Sequence, residues 1–317
     1  MFTVVIPLFN KGAYVERALD SIADQSFAAT EILVVNDGST DGGDRVVRRR
    51  GDARLRIIDQ PNRGVSAARN AGIAAATQPF VAFLDADDRW RPHFLARMRG
   101  LVAAHPGAVL YGAGFVTVAG DGTTRRHGIA PEAGAAREAR LVDYFAERRR
   151  GHVLHMSTTV APRAALEAVG GFPEGVAYCE DEMLWARLAL AGPVVLSPEL
   201  LAEYDVGVPG QAVEYWTRAY RERLDVLEYH RFLGAELWRN GGARPSLVAL
   251  ARRELTTALL QRIYRGNFAA AERLWHEARL EGLPLGPVAA ACGAVARNPA
   301  LQPAVAAMMG VARRLRG

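Results

Sequence analysis

Apolar positions along the first 90 residues change period several times. Val4-Val5-Ile6 is a short β-branched run closed by Pro7. Between Tyr14 and Ala23, the residues Tyr14, Val15, Ala18, Leu19 and Ile22 recur at helical spacing, which predicts an amphipathic helix. Glu31-Ile32-Leu33-Val34-Val35 reads as a second strand, ended by the turn-forming Asn36-Asp37-Gly38-Ser39. Leu55 to Ile58 reads as a third strand and the alanine-rich Ser66 to Ala76 as a helix. Phe80-Val81-Ala82-Phe83-Leu84 is a fourth strand that runs into Asp85. Strands separated by helices imply parallel βαβ units in a sheet covered on both faces. Ligands of such sheets bind beyond the carboxyl ends of the strands. The polar clusters at Pro7 to Asn10, Asn36 to Thr40 and Asp85 to Asp88 all fall there.

Later segments extend this pattern and then abandon it. Ala108 to Val118 predicts a buried strand, Leu154 to Val160 another before Pro162, and Glu182 to Ala191 a helix closed by Gly192-Pro193. Residues 121–150 are rich in Gly, Arg and Ala and read as surface structure. After Val208-Pro209-Gly210 the strand signals fade. Leu247 to Arg265 and Phe268 to Leu280, joined by Gly266-Asn267, predict a helical hairpin. The domain boundary is placed near 206. The fold class expected is therefore α/β, a mixed and mostly parallel sheet over residues 1–205, followed by an all-helical region over 206–317.

Composition narrows the classes. Half of the 317 residues are apolar, enough for real cores, and 23% are charged, which argues against global disorder. Cys179 and Cys292 cannot make a disulfide framework, and the N-terminus enters a strand without a basic then apolar leader. A reducing cytoplasm is the expectation. The uncharged stretch Gly100 to Gly120 has five glycines, His105 and Pro106, and reads as a helix end and strand rather than a membrane span. Residues 1–205 hold 23 basic and 25 acidic residues, while 206–317 hold 16 and 9. In the second part the basic residues alternate with apolar ones at helical spacing, so solvated helix faces are expected and nucleic acid is not.

Candidate chemistry lies in four segments. Asp85-Ala86-Asp87-Asp88 sets three acids within four positions at a strand end. A hard divalent cation with oxygen ligands would offset their repulsion, and a solvated acidic loop capping the next helix would also account for them. In Val35-Asn36-Asp37-Gly38-Ser39-Thr40-Asp41, a carboxylate can accept from a nucleobase N–H, and the later residues can cap a helix. Asn62-Arg63-Gly64-Val65-Ser66-Ala67-Ala68-Arg69-Asn70 puts Arg and Asn near a helix N-terminus, which suits phosphate. Cys179-Glu180-Asp181-Glu182 places acids before an amphipathic helix. These could serve a general base or simply favour the helix dipole.

Taken in order over residues 3–205, these motifs resemble the family 2 glycosyltransferases of the GT-A fold. They are Val4 to Asn10, Val35 to Ser39, Asn62 to Gly72, Phe83 to Asp88 and Glu180 to Trp185. The resemblance implies an inverting transfer of one sugar from a nucleotide-diphosphate sugar, typically a UDP-sugar, to a glycan or lipid-linked acceptor, with Mn²⁺ or Mg²⁺ as cofactor. Surface polysaccharide synthesis in bacteria is the implied setting, and a hexosyl or N-acetylhexosaminyl donor the implied substrate. By the same resemblance, Pro7 and Asn10 line the nucleotide pocket, Asp37 accepts from the base and Arg69 lies near base or diphosphate. Asp85 is assigned to the ribose, Asp87 to the metal, and Asp181 to the catalytic base supported by Glu180. Asp88 is left to cap the next helix. Asn36 departs from the Asp often found in the family.

The Gln-x-x-Arg-Trp motif of processive synthases is absent, which favours single addition. Two other classes remain open. A nucleotidyltransferase would normally carry a Gly-rich basic loop after the first strand, which Pro7-Leu8-Phe9-Asn10-Lys11-Gly12 does not resemble. A noncatalytic sugar-nucleotide-binding protein is disfavoured by intact Asp85, Asp87 and Asp181. His152 and His155, read as lying on the strand before the acids, are secondary ligand candidates. Tyr178 and Trp185 are candidates for sugar stacking or packing, and Arg148-Arg149-Arg150 for an anionic acceptor or solvent. The charge-free stretches Gly282 to Ala296 and Asn298 to Ala312, followed by Arg313, Arg314 and Arg316, are each shorter than a membrane span. They suit a packed hairpin or contact with the cytoplasmic membrane face, and a homo-oligomer is compatible with them.

Overall fold

A computed structural model of the chain describes residues 1–131, 138–176, 179–208, 244–280, 282 and 285–307. The chain divides into two compact units, Met1–Trp216 and Thr217–Gly317. The first begins with β1 (Phe2–Leu8), α1 (Val15–Ala23), β2 (Glu31–Asp37), α2 (Gly43–Arg48), β3 (Leu55–Gln60), α3 (Val65–Ala75) and β4 (Phe80–Phe83). The short β5 (Arg89–Trp90), α4 (Phe94–Ala104), β6 (Leu110–Ala119), β7 (Thr124–His127), β8 (Arg140–Val142) and α5 (Tyr144–Arg150) follow. A 3₁₀ turn (Met156–Thr158), β9 (Thr159–Pro162), α6 (Arg163–Ala168), α7 (Glu180–Ala191) and β10 (Val194–Val206) complete the described part.

The ten strands of the described residues form one sheet, ordered β3-β2-β1-β4-β9-β6-β10-β5, with β7 added to β6 and β8 to β10. β3, β2, β1 and β4 run parallel, as do β6 and β10, and these carry the long ladders. The antiparallel pairings of β9, β5, β7 and β8 are short. β1 is central and buried on both faces. Phe2, Val4, Ile6 and Leu8 join a core with Val15, Leu19 and Ile22 of α1 and Phe94 and Met98 of α4. Val5 points the other way, against Gly72 of α3. That double burial is why β1 and β2 read as continuous apolar runs rather than alternating ones.

Beyond the short β5, β7 and β8, which the sequence pattern does not show, two elements differ from the sequence expectation. The strand expected over Leu154 to Val160 begins only at Thr159, because His155 caps a 3₁₀ turn, its ring accepting from Ser157 N–H and its N–H donating to Thr158 Oγ1. His152 and His155 therefore precede the strand. β10 has no counterpart in the expectation. Pro198 breaks its apolar run, and a proline inside a run argues against a central strand. The chain absorbs it in an irregularity between Ser197 and Ala202 and then resumes pairing with β6.

In the second unit the hairpin is α8 (Pro245–Tyr264) and α9 (Phe268–Leu280), followed by α10 (Pro287–Arg297). Gly266, at φ 76°, closes α8 by donating to Ile263 O, and Asn267 caps α9 by accepting from Ala270 N. Trp275 lies against Gly293, and the Arg297 guanidinium stacks 3.9 Å from its ring centroid. No helix among the described residues is long and apolar enough to cross a membrane. The basic end Arg313, Arg314 and Arg316 lies outside the described residues.

Gly72 tests the packing of α3 on β1. Ala normally stabilises a helix interior by about 1 kcal/mol over Gly, but a Cβ here would overlap the stiff Val5 side chain. Gly72→Ala is expected to destabilise by about 1 kcal/mol or more, because overpacking typically costs about 1–3 kcal/mol. Urea denaturation checks this, and a stabilised variant would contradict the packing.

Candidate active site

The loops after β1 and β2 brace each other. Asn10, in the left-handed region at φ 50°, accepts from Thr40 N (2.8 Å), and its own N–H donates to Ser39 Oγ (3.2 Å). Asp41 accepts from Gly12 N (2.7 Å) and Gly43 N (2.9 Å), the second at the start of α2. Asp37 is buried and accepts from Arg63 N and Gly64 N (both 2.9 Å) and from Gln60 Nε2 (2.7 Å). It thereby fixes the loop that leads into α3. Gly38, at φ 74°, lets this turn pass close to Asn62. Asn36 donates to Asp59 Oδ1 (2.9 Å) while accepting from Ser39 N (3.0 Å). An ionised Asp could not donate, so the amide fits a neighbour that is itself a carboxylate. Pro7 is half-buried on β1, opposite Val35.

The acidic turn between β4 and β5 sends its three carboxylates to different partners. Asp85 N–H donates to Ser157 Oγ (3.1 Å), and its Oδ1 accepts from Arg69 Nη2 (2.8 Å). Asp87 pairs through Oδ2 with Lys11 Nζ (2.9 Å), and its carbonyl accepts from Arg17 Nη2 (2.7 Å). Arg17 also pairs with Asp205 of β10 (2.5 Å). Asp88, only 1% exposed, accepts from Ser157 Oγ and lies 3.3 Å from His155 Nδ1. It does not cap a helix, because β5 follows it and α4 starts only at Phe94.

Burial and the neighbouring Asp85 and Asp87 push the Asp88 carboxyl well above the usual range. Burial also opposes the charge on Asp85, but Arg69, then His155 and Lys11, hold its carboxyl below the usual range. The His155 imidazole is stacked on Tyr204 (4.5 Å between centroids) and tilted against Phe115 (5.2 Å), and burial lowers its pKa. Its Nδ1 accepts from Ser157 N–H (3.3 Å). His152 is exposed.

Among the described residues, Asp85, Asp88 and His155 offer ligand atoms within 4.8 Å of one another. Asp88 Oδ1 is a buried acceptor with no hydrogen-bond partner among the described residues. Two carboxylates, one with an unused buried oxygen, and an imidazole fit a divalent ion such as Mn²⁺. Asp87 stands on the same turn, held by Lys11.

Arg69 joins this turn to α7. Its side chain is 5% exposed; Nη2 pairs with Asp85 (2.8 Å) and Nη1 with Glu180 (2.9 Å). The guanidinium lies 5.2 Å from the Phe172 ring centroid. Burial disfavours its charge, but Asp85 and Glu180 more than compensate and raise its pKa. Glu180, Asp181 and Glu182 occupy the first turn of α7, where the helix dipole favours negative charge. Even so, burial first, then Glu180 and Glu182, push the Asp181 carboxyl up to about 8. Glu182 accepts from Tyr144 Oη (2.9 Å) and Arg148 Nε (2.6 Å), so one member of the arginine run has an internal role. Trp185 is core, at 2% exposure. Tyr178 lies outside the described residues. Lys11, Arg17, Ser157, Tyr204 and Asp205 were not candidates from sequence. Each arrives from a segment remote from the acids and carries no local signal of its own.

Arg69→Met removes the shared partner of two largely buried acids. Breaking one side of a buried pair costs about 3–5 kcal/mol, and a loss of that size is expected in chemical denaturation. A loss under about 1 kcal/mol, the value of a surface pair, would contradict the bridge.

The sequence model described as Glycosyl transferase family 2 matches residues 3–168. An uncharacterized glycosyltransferase of Nostoc sp. is 42% identical over 99 residues, 30% of this chain and 31% of its own length. TuaG of Bacillus subtilis, a putative teichuronic acid biosynthesis glycosyltransferase, is 31% identical over 126 residues, 39% of this chain and 50% of that protein. The chain thus spans about a third to a half of the length of these curated relatives. Among solved structures, S. aureus TarS 1-349 in complex with UDP-GlcNAc has a TM-score of 0.72 at 19% identity, over 99% of this chain and 91% of that one. The mannosyltransferase PcManGT from Pyrobaculum calidifontis, in complex with GDP-Man and Mn²⁺, has a TM-score of 0.57 at 21% identity, over 98% and 86%. These likenesses are of fold, and the family match covers more than half of the 317 residues. With its mixed, mostly parallel sheet and the strand-end motifs gathered along one edge, the chain belongs to glycosyl transferase family 2 and has the GT-A fold.

Proposed function

We propose that this chain transfers a single hexosyl or N-acetylhexosaminyl unit from a nucleotide-diphosphate sugar, a UDP-sugar, to a hydroxyl of a glycan or lipid-linked acceptor, inverting the anomeric carbon. The observation that carries this reading is Arg69. One buried guanidinium binds Asp85 of the acidic turn and Glu180 beside Asp181, so a donor-side carboxylate and the acids of α7 share one charge network. The names of the relatives support it: TarS was solved with UDP-GlcNAc and PcManGT with GDP-Man.

In this reading Asn10 and Asp37 hold the loops around the nucleotide, Pro7 lines them, and Asp85 faces the ribose. Asp87 would hold Mn²⁺ or Mg²⁺, with Asp85, Asp88 and His155 beside it. That ion would offset charge developing on the departing diphosphate. Asp181 accepts the proton of the acceptor hydroxyl as that oxygen bonds to C1 and the C1–O bond to the diphosphate breaks. Glu180 and Arg69 keep Asp181 in place. Residues 1–205 make up the donor and catalytic domain, and 206–317 serve acceptor, oligomer or membrane-face contacts in the cytoplasm. A noncatalytic sugar-nucleotide binder would have no use for a buried carboxyl poised near neutrality, and general bases are commonly tuned there.

A scan of nucleotide sugars with Mn²⁺ and Mg²⁺, reading donor hydrolysis and transfer, tests the activity. A nucleotidyltransferase would instead leave nucleotide sugars intact and release pyrophosphate only from a nucleoside triphosphate given with a sugar phosphate. The base must be ionised, and its pKa in the folded chain is raised to about 8. The value of kcat/KM is therefore expected to climb as pH rises through about 8. Asp181→Asn is expected to lower transfer by about 10²–10⁴-fold, the usual weight of general-base catalysis, with donor affinity nearly unchanged. Unaltered turnover in that variant would remove Asp181 from the chemistry.

A further inference from the structure

Ser157 is wholly buried, and each of its polar groups is directed at the acidic turn or at His155. Its Oγ accepts from Asp85 N–H (3.1 Å) and donates to Asp88 Oδ2. Its carbonyl accepts from Trp90 Nε1 (2.6 Å), two residues beyond the turn, and its N–H donates to His155 Nδ1 (3.3 Å). One hydroxyl thus ties the first acid of the turn to the last, from a segment 69 positions away from Asp88. The 3₁₀ turn Met156–Thr158, closed by His155 and Thr158, sets it there. A serine hydroxyl has one proton to give. Given to Asp88 Oδ2, that proton fixes the plane of the carboxylate. The other oxygen, Oδ1, is buried and has no hydrogen-bond partner among the described residues.

We propose that Ser157 is a positioning residue for the divalent cation. It holds the Asp88 carboxylate in the orientation in which Asp88, Asp85 and His155 face one another as ligands. The inference rests on the proposed function, in which a divalent ion sits against this turn. Ser157 itself touches neither ion nor donor and acts through Asp88. A carboxylate free to rotate presents its oxygens correctly for only part of the time, and that fraction enters the affinity directly. Carboxylates that bind metal are commonly held by such hydrogen bonds, and losing one typically weakens binding about 10–100-fold. The second contact of the same hydroxyl, with Asp85 N–H, keeps the backbone of the turn in register with the side chain it orients.

Mn²⁺ binding to the full chain tests this, read from the paramagnetic resonance signal of the free ion with and without saturating UDP. Wild type, S157A, D88A and the double variant are compared, and circular dichroism confirms that each is folded. S157A is expected to bind Mn²⁺ about 10–100-fold more weakly. In the D88A background the same change is expected to alter affinity by no more than about twofold, because the carboxylate that Ser157 positions is gone. A hydroxyl that only braced the fold would lower affinity by the same factor in both backgrounds. S157C keeps the shape with a weaker donor. It is expected to fall between wild type and S157A, and it carries the comparison should the alanine variant not fold. Mn²⁺ affinity unchanged by S157A or S157C, or equal losses in the two backgrounds, overturns the positioning role and leaves the proposed function standing. Failure of wild type to take up Mn²⁺ in the presence of UDP overturns both.

Discussion

The acidic turn after β4 and the start of α7 depend on one buried cation. Arg69 leaves α3 and is nearly sealed from water, yet it satisfies two carboxylates that are 95 residues apart in sequence, Asp85 and Glu180. A guanidinium in such a place is costly unless both arms are paired, and two acids in such a place are costly without it. The three groups therefore specify one another's positions. The turn after β4 and the first turn of α7 become parts of one site because neither is tolerable alone.

Around that bridge the site carries more acid than its fixed cations neutralise, and the surplus is handled in two ways. Some carboxylates are matched by a donor suited to them. Asp37 takes two backbone N–H groups and an amide, and Asp59 takes the Asn36 amide, which explains an asparagine where family 2 often has an acid. Others are pushed toward the neutral form by burial and like charge, as Asp88 and Asp181 are. Asp88 keeps one oxygen unused beside Asp85 and His155, where a divalent ion would find ligands. Asp181 is held near neutrality, where small changes in its surroundings decide whether it can take a proton.

Much of this was legible in the residues. β1, β2, β4 and α3 are dictated by burial on both faces and by helical periodicity, and their polar ends follow from parallel topology. What stayed hidden depends on long-range pairing. β10 is masked by Pro198, because no local rule shows that an irregularity will accommodate it. Tyr204 and Asp205 reach the site only through that strand. The 3₁₀ turn at Met156–Thr158 takes Ser157 and His155 off the expected strand and aims them at Asp88. Arg148 looks like part of a solvated run until Glu182 is seen beside it. Lys11 is unremarkable as a residue type and informative only by what it faces. Asp88, left as a helix cap, is the most buried of the three acids in the turn.

The charge state of Asp181 is the most direct test of how the site is built. Selective ¹³C labelling of aspartate carboxyls, assigned by comparison with Asp181→Asn and followed by NMR across pH in metal-free protein, reads it directly. A carboxyl that titrates at about 8 is expected. A midpoint near 4, the value of an unperturbed aspartate, would show that α7 does not bury its acid against Glu180 and Glu182, and the site as described would be wrong.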